Sequence, residues 1–165
     1  FREVAPFSIV GVPLGIARGA LRVFSAAMRD QVRRFTEQQL AEQSATFLRV
    51  AEAAVEVDAA RALIDQSARC IDEIENPAAL GDAERARFAR DWAYAAQVSR
   101  YAVTRLFEAA GGSGLYDSSE LQRSWRDVNA AAQHYAFTWD GAMTAYGRAT
   151  LEVAPARYGA KGRAD

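Results

Sequence analysis

Between Pro13 and Leu151 apolar residues recur every three or four positions, alanine is abundant and no run alternates with period two, which predicts helices throughout. Leu14, Ala17, Leu21, Phe24, Met28 and Phe35 form a first stripe, with Pro13 placed in the opening turn, where its missing N–H costs nothing. A polar patch from Thr36 to Ser44 follows. Phe47, Val50, Ala54, Val57, Ile64, Ala68 and Ile71 then define a second helix, on whose stripe Arg61 is expected to lay its stem while its head reaches water. Asn76-Pro77 ends that helix, and Asp82 is the predicted N-cap of a third, antiparallel one. This third helix carries Phe88, Trp92, Ala95, Ser99, Ala102 and Leu106 on one face, and Tyr94, Val98 and Tyr101 on an adjacent one, so burial on two sides is expected. Gly111-Gly112-Ser113-Gly114 breaks it. Ser118 or Ser119 then caps a segment with Leu121, Trp125 and Val128, and a bend near His134 to Thr138 would split the last helix before Leu151. The predicted fold is all-α, an up-and-down four-helix bundle without a sheet.

Composition narrows the setting. The chain has 165 residues, half of them hydrophobic, enough for one core. Twenty basic against 21 acidic residues provide no general attraction to nucleic acid or anionic membrane, and neither partner is expected. The longest apolar stretches, such as Phe7 to Ala17, are interrupted by Gly and Pro and read as too short to span a bilayer. One cysteine, Cys70, allows no internal disulfide and no cysteine-based zinc site; it is expected as a small core residue, in a reducing, cytoplasmic compartment. The chain begins at Phe1 and its first dozen residues read like the end of a preceding region. The expected organisation is a linker over 1–12, a helical bundle over 13–152 and a loose tail over 153–165.

Three clusters carry candidate chemistry. His134 is the only histidine; without a second His, a Cys or a Glu at ligand spacing it is a poor metal candidate, and no metal is expected. On a continuous helix Arg123, Asp127 and His134 would share one stripe, where the imidazole is either a proton-transfer group or an inert surface residue. Arg123, Arg126 and Asp127 could orient an anion or form a solvated i,i+4 pair. Gly111, Gly112 and Ser113 could offer backbone N–H groups to a phosphate, but the segment lacks P-loop or dinucleotide-binding spacing, and an ordinary helix C-cap explains it as well.

Gly15-Ile-Ala-Arg18-Gly-Ala-Leu21, Ala60-Arg61-Ala62-Leu63, Ala110-Gly-Gly-Ser113, Arg123-x-x-Arg126-Asp127 with His134, and Tyr146-Gly147-Arg148 resemble one superfamily. Over about Pro13 to Leu151 the chain is similar to the C-terminal helical domain of the acyl-CoA dehydrogenase fold, in its monooxygenase branch. That branch holds two-component flavin-dependent hydroxylases of phenols and steroid-derived aromatics, and the dibenzothiophene monooxygenase. Many acyl-CoA dehydrogenases place a glutamate base eight residues after the Arg-Asp aspartate; here Tyr135 stands there and His134 precedes it. The resemblance implies an oxygenase component that takes reduced FMN or FAD from a separate reductase and hydroxylates an aromatic small molecule through a flavin C4a-hydroperoxide. It implies that His134 polarises or deprotonates a phenolic hydroxyl. It further implies that Gly111, Gly112 and Ser113 approach the flavin phosphate, with Arg123 and Arg126 supporting it or a subunit interface, Asp127 aligning them, and Arg18 and Arg33 as further phosphate candidates. A homotetramer is the implied assembly. The alternatives are an FAD-dependent acyl-CoA dehydrogenase of the same fold and a non-catalytic helical oligomerisation module.

Overall fold

The computed structural model describes residues 5–34, 36–76 and 79–153. Phe35, Pro77 and the tail from residue 154, including Pro155, lie outside the described residues. The described residues form six α-helices in order: α1 Ala5–Val32, α2 Glu37–Glu42, α3 Ser44–Asp72, α4 Asp82–Ala109, α5 Glu120–Ala131 and α6 Trp139–Thr150, with 3-10 turns at Gly111–Leu115 and Tyr135–Phe137. Among the described residues there is no strand. Three long helices and a fourth divided into α5 and α6 make the expected bundle. α4 is its axis, packing against α1, α3, α5 and α6.

The pattern of burial explains why α4 is central. Phe88, Trp92, Ala95, Ser99, Ala102 and Leu106 are all buried along the predicted face, and Ala86, Ala93, Ala96 and Val103 extend it. Each fully buried Phe, Leu or Val contributes about 1.5 to 3 kcal/mol. The second face is buried only at Val98; Tyr94 and Tyr101 are exposed. Arg105 bridges to α3, its guanidinium 3.0 Å from Glu52 and 2.6 Å from Glu56. The hydrogen bond to Glu56, opposed by partial burial, raises its pKa above the ordinary arginine value.

Four expectations need correction. Residues 5–12 are not a linker: α1 begins at Ala5, Pro6 occupies its first turn, and Pro13 lies buried in its interior. An internal proline removes one helical hydrogen bond and costs about 3 kcal/mol. Packing upstream offsets it, because Phe7 stands edge-on to Phe88 and Trp92 at 5.7 and 5.1 Å and Val10 is fully buried. The continuous 28-residue α1 is, by length and composition, apolar enough to cross a membrane, contrary to the sequence estimate. In the fold it buries Val10, Leu14, Ala17, Ala20 and Phe24 as a core helix.

The third correction concerns caps. Gly81, not Asp82, is the N-cap of α4; Glu84 turns back to accept from the Gly81 N–H at 3.1 Å. The polar patch after α1 contains a helix of its own, α2, opened by a reciprocal pair in which Gln39 accepts from the Thr36 N–H (2.9 Å) and Thr36 Oγ1 from the Gln39 N–H (3.4 Å). The fourth correction bears on the site: α5 stops at Ala131, so His134 is not on the helix of Arg123 and Asp127.

Candidate active site

A short turn built from its own residues carries His134. Ser119 accepts from the Gln122 N–H to start α5, and Trp125 stacks on Phe107 of α4 at 5.1 Å, which fixes the helix. Leu121 and Val128 are buried beneath it. After Ala131 the chain tightens, with N–H groups of Gln133 and His134 bonded to the carbonyls of Ala130 and Ala131. His134 then becomes the N-cap of the Tyr135–Phe137 turn, its Nδ1 accepting from the Ala136 N–H at 3.2 Å. Phe137 anchors the turn by inserting into the core with Phe88 and Trp92, only 5% exposed, and its ring lies 5.6 Å from the imidazole. Tyr135 lies 4.5 Å from the imidazole on the solvent side, 82% exposed.

With Nδ1 committed to the backbone, Nε2 of the half-buried imidazole has no hydrogen-bond partner among the described residues. His134 borders a groove of about 340 Å³ shared with Gln133, Ala130 and Ala131 of the α5 end and Ile9 and Val12 of α1. Its wall is apolar apart from Gln133 and the imidazole. The chemistry it suits is a flat apolar ligand with one polar atom placed against His134. A larger groove, about 680 Å³, runs between α1 and α3 past Arg18 and Arg61 without reaching His134. Its charged groups include the Arg61–Asp65 ion pair at 2.9 Å, which answers the Arg61 expectation: the head is exposed and paired along its own helix.

The other predicted residues are not gathered around His134. Gly111 takes φ +57° as the left-handed residue that ends α4, and the Ser113 hydroxyl donates to the Ala110 carbonyl at 2.7 Å. The loop borders Val23, Phe24 and Ala27 of α1, about 16 Å of helix from Val12 at 1.5 Å per residue. Arg123, Arg126 and Asp127 are exposed, and among the described residues no ion pair or hydrogen bond joins Asp127 to either arginine. The aligning role expected of Asp127 is not seen. Arg18 faces the α1 grooves, and Arg33, beyond the far end of α1, pairs loosely with Asp30 at 3.7 Å. Among the described residues no cluster of His, Cys, Asp or Glu suits a metal. Cys70 is half-buried against the core.

Sequence reasoning missed three contributors: Ile9 and Val12, whose segment was read as linker, and the Ala136 N–H, visible only once the turn is known. It also missed a buried polar cluster on the other side of α4. Asp91 is 0% exposed, accepts from Ser67 Oγ of α3 at 2.7 Å and from Arg90 Nε at 2.8 Å. The Arg90 guanidinium in turn stacks over Tyr146 of α6, 4.1 Å from the ring centre.

The family described as "Acyl-CoA dehydrogenase, C-terminal domain" matches residues 7–139. The FADH(2)-dependent resorcinol hydroxylase, oxygenase component, of Rhizobium sp. (strain MTP-10005) is 31% identical over 159 residues, covering 91% of this chain and 39% of that protein. The p-hydroxyphenylacetate 3-hydroxylase, oxygenase component, of Acinetobacter baumannii is 31% identical over 147 residues, covering 87% of this chain and 34% of that protein. The crystal structure of 3-HSA hydroxylase from Rhodococcus sp. RHA1 superposes with a TM-score of 0.80 at 26% identity, covering 93% of this chain and 40% of that one. The chain thus spans about two-fifths of the length of the relatives it matches, and it belongs to the acyl-CoA dehydrogenase C-terminal domain family.

Proposed function

We propose that the chain is the C-terminal helical domain of an oxygenase component that hydroxylates a phenolic ring with reduced flavin supplied by a separate reductase. The observation that carries this reading is the His134 groove: one imidazole, held from behind by the Ala136 N–H, opening onto the apolar wall of Ile9 and Val12. A phenol matches it, the ring lying against the aliphatic wall and the hydroxyl meeting the imidazole. The names of the resorcinol and p-hydroxyphenylacetate relatives support that substrate class.

The donors present fit an anionic flavin phosphate. Arg123 and Arg126 hold exposed guanidinium groups on α5, and Gly111 and Gly112 offer backbone on an exposed turn, although Ser113 has committed its hydroxyl to a helix end. Arg18 is a further donor in its groove. Reduced flavin, when bound, activates oxygen for transfer to the ring. The residues of this chain orient the phenol and hold its oxygen. The name of the resorcinol relative favours FAD over FMN. Exposed Phe47, Leu48 and Val55 of α3 and Tyr94 and Tyr101 of α4 are apolar area that a homotetramer or the preceding domain would cover. The compartment we propose is the cytoplasm.

The acyl-CoA dehydrogenase alternative has less support, because Tyr135, which stands at the glutamate position, supplies no carboxylate and faces solvent. The test is to give the longer protein that carries this chain a reductase, NADH, FAD or FMN, oxygen and a panel of simple phenols. Hydroxylated product is expected. Oxidation of an acyl-CoA without phenol turnover would overturn the proposal in favour of the dehydrogenase, and inactivity in both assays in favour of an oligomerisation module.

A further inference from the structure

We infer that His134 serves its ligand as a hydrogen-bond donor through Nε2–H, not as a base, and that the backbone N–H of Ala136 is the positioning group that fixes this. The inference rests on the phenol-hydroxylase reading above. Its starting point is the cap: the Ala136 N–H points at Nδ1 from 3.2 Å, so Nδ1 presents its lone pair to the backbone. A neutral imidazole carries one N–H and one lone pair. With the lone pair facing Ala136, the proton resides on Nε2. Proton abstraction from a phenol needs a lone pair directed at the ligand, and the free edge has none. To take a proton at Nδ1 the ring would have to give up its cap and set two donors against each other.

The turn leaves little freedom to evade this. Phe137 seats it in the core, the Phe137 N–H bonds to the His134 carbonyl at 2.9 Å, and the Tyr135 and Phe137 rings contact the imidazole. The groove beside it, walled by Ile9 and Val12, provides no second polar group from α1. A phenolate oxygen placed there receives the Nε2–H bond, which raises the population of the electron-rich ring. The phenolic proton leaves to water, not to His134.

Two measurements test this. In the longer protein labelled with 15N, the imidazole signals of His134 are identified by their loss in His134→Asn. At alkaline pH the expected result is a protonated Nε2 and a scalar coupling across the hydrogen bond from the Ala136 amide nitrogen to Nδ1. A protonated Nδ1, or no coupling, overturns the inference. In the longer protein, His134→Gln offers a donor at the reach of Nε2, whereas His134→Glu offers a base. Glutamine is expected to retain kcat/KM at least about tenfold above glutamate, the worth of one hydrogen bond to a charged oxygen. Glutamate equal to or better than glutamine overturns it. Wild-type turnover in both variants, with the coupling present, would remove the proposed function and the ligand role with it while leaving the tautomer assignment standing.

Discussion

Asp91 and His134 are two polar side chains held by the bundle in opposite ways. Asp91 is enclosed on α4 with its oxygens taken by Ser67 and Arg90, and through Arg90 and Tyr146 it ties three helices together. His134 sits on a turn at the rim, one nitrogen bound to its own backbone, and lines a groove. A buried charge with every partner inside the fold leaves nothing for a ligand; it fixes the arrangement of helices. A half-buried imidazole with one nitrogen unbonded within the fold keeps a polar edge for a ligand. The contrast sets a polar group that fixes the fold beside one whose proposed role is chemical.

Several substitutions would break or sharpen that contrast. Phe137 belongs to both regions, since it fills core beside Phe88 and Trp92 while seating the His134 turn. Phe137→Ala is expected to cost about 3 to 5 kcal/mol and to lower hydroxylation in the protein that remains folded. Denaturant unfolding beside turnover per folded molecule checks this, and intact turnover would show that the turn holds itself. Asp91→Ala should come next, at about 3 kcal/mol, because it strands the Ser67 hydroxyl in the core and the partly solvated Arg90 guanidinium. Its folded fraction should turn over normally; a specific loss of activity would make Asp91 part of the site. The smallest stability effect belongs to the glycine loop. Gly111→Ala forces a Cβ into positive φ where nothing crowds it, so only the backbone cost of about 1 kcal/mol applies. If the same change weakens flavin binding well beyond that loss, the loop does more than end α4.

Much of the bundle was legible because long helices signal by repetition. The α4 face and the glycine break are decided within a few turns of sequence: α4 buries the main face its spacing selects, although the adjacent face is buried only at Val98. Errors arose where one local signal met a distant packing partner. Pro13 looks like a helix start, and only Phe88 and Trp92, far along the chain, reveal that Phe7 and Val10 continue the helix upstream. For the same reason Ile9 and Val12 were not legible as groove walls. His134 was identifiable as the sole imidazole, but its geometry was misjudged. The bend expected near His134 to Thr138 is present, but nothing in the alanine-rich run from Ala130 to Ala136 announces that α5 ends as early as Ala131. Asp91 is silent in sequence because a carboxylate in a charged helix resembles any surface residue.

The most direct test of the central claim, that His134 is present for chemistry and not for the turn, is His134→Asn in the longer protein. Asparagine is a strong N-cap whose side-chain oxygen replaces Nδ1 toward the Ala136 N–H, yet it lacks anything in place of Nε2. The result predicted is an unchanged unfolding midpoint with kcat/KM for a phenol lowered about 10- to 100-fold, the value of one hydrogen bond to a charged oxygen. Full turnover in that variant, or an activity loss that merely tracks a lowered midpoint, would contradict it.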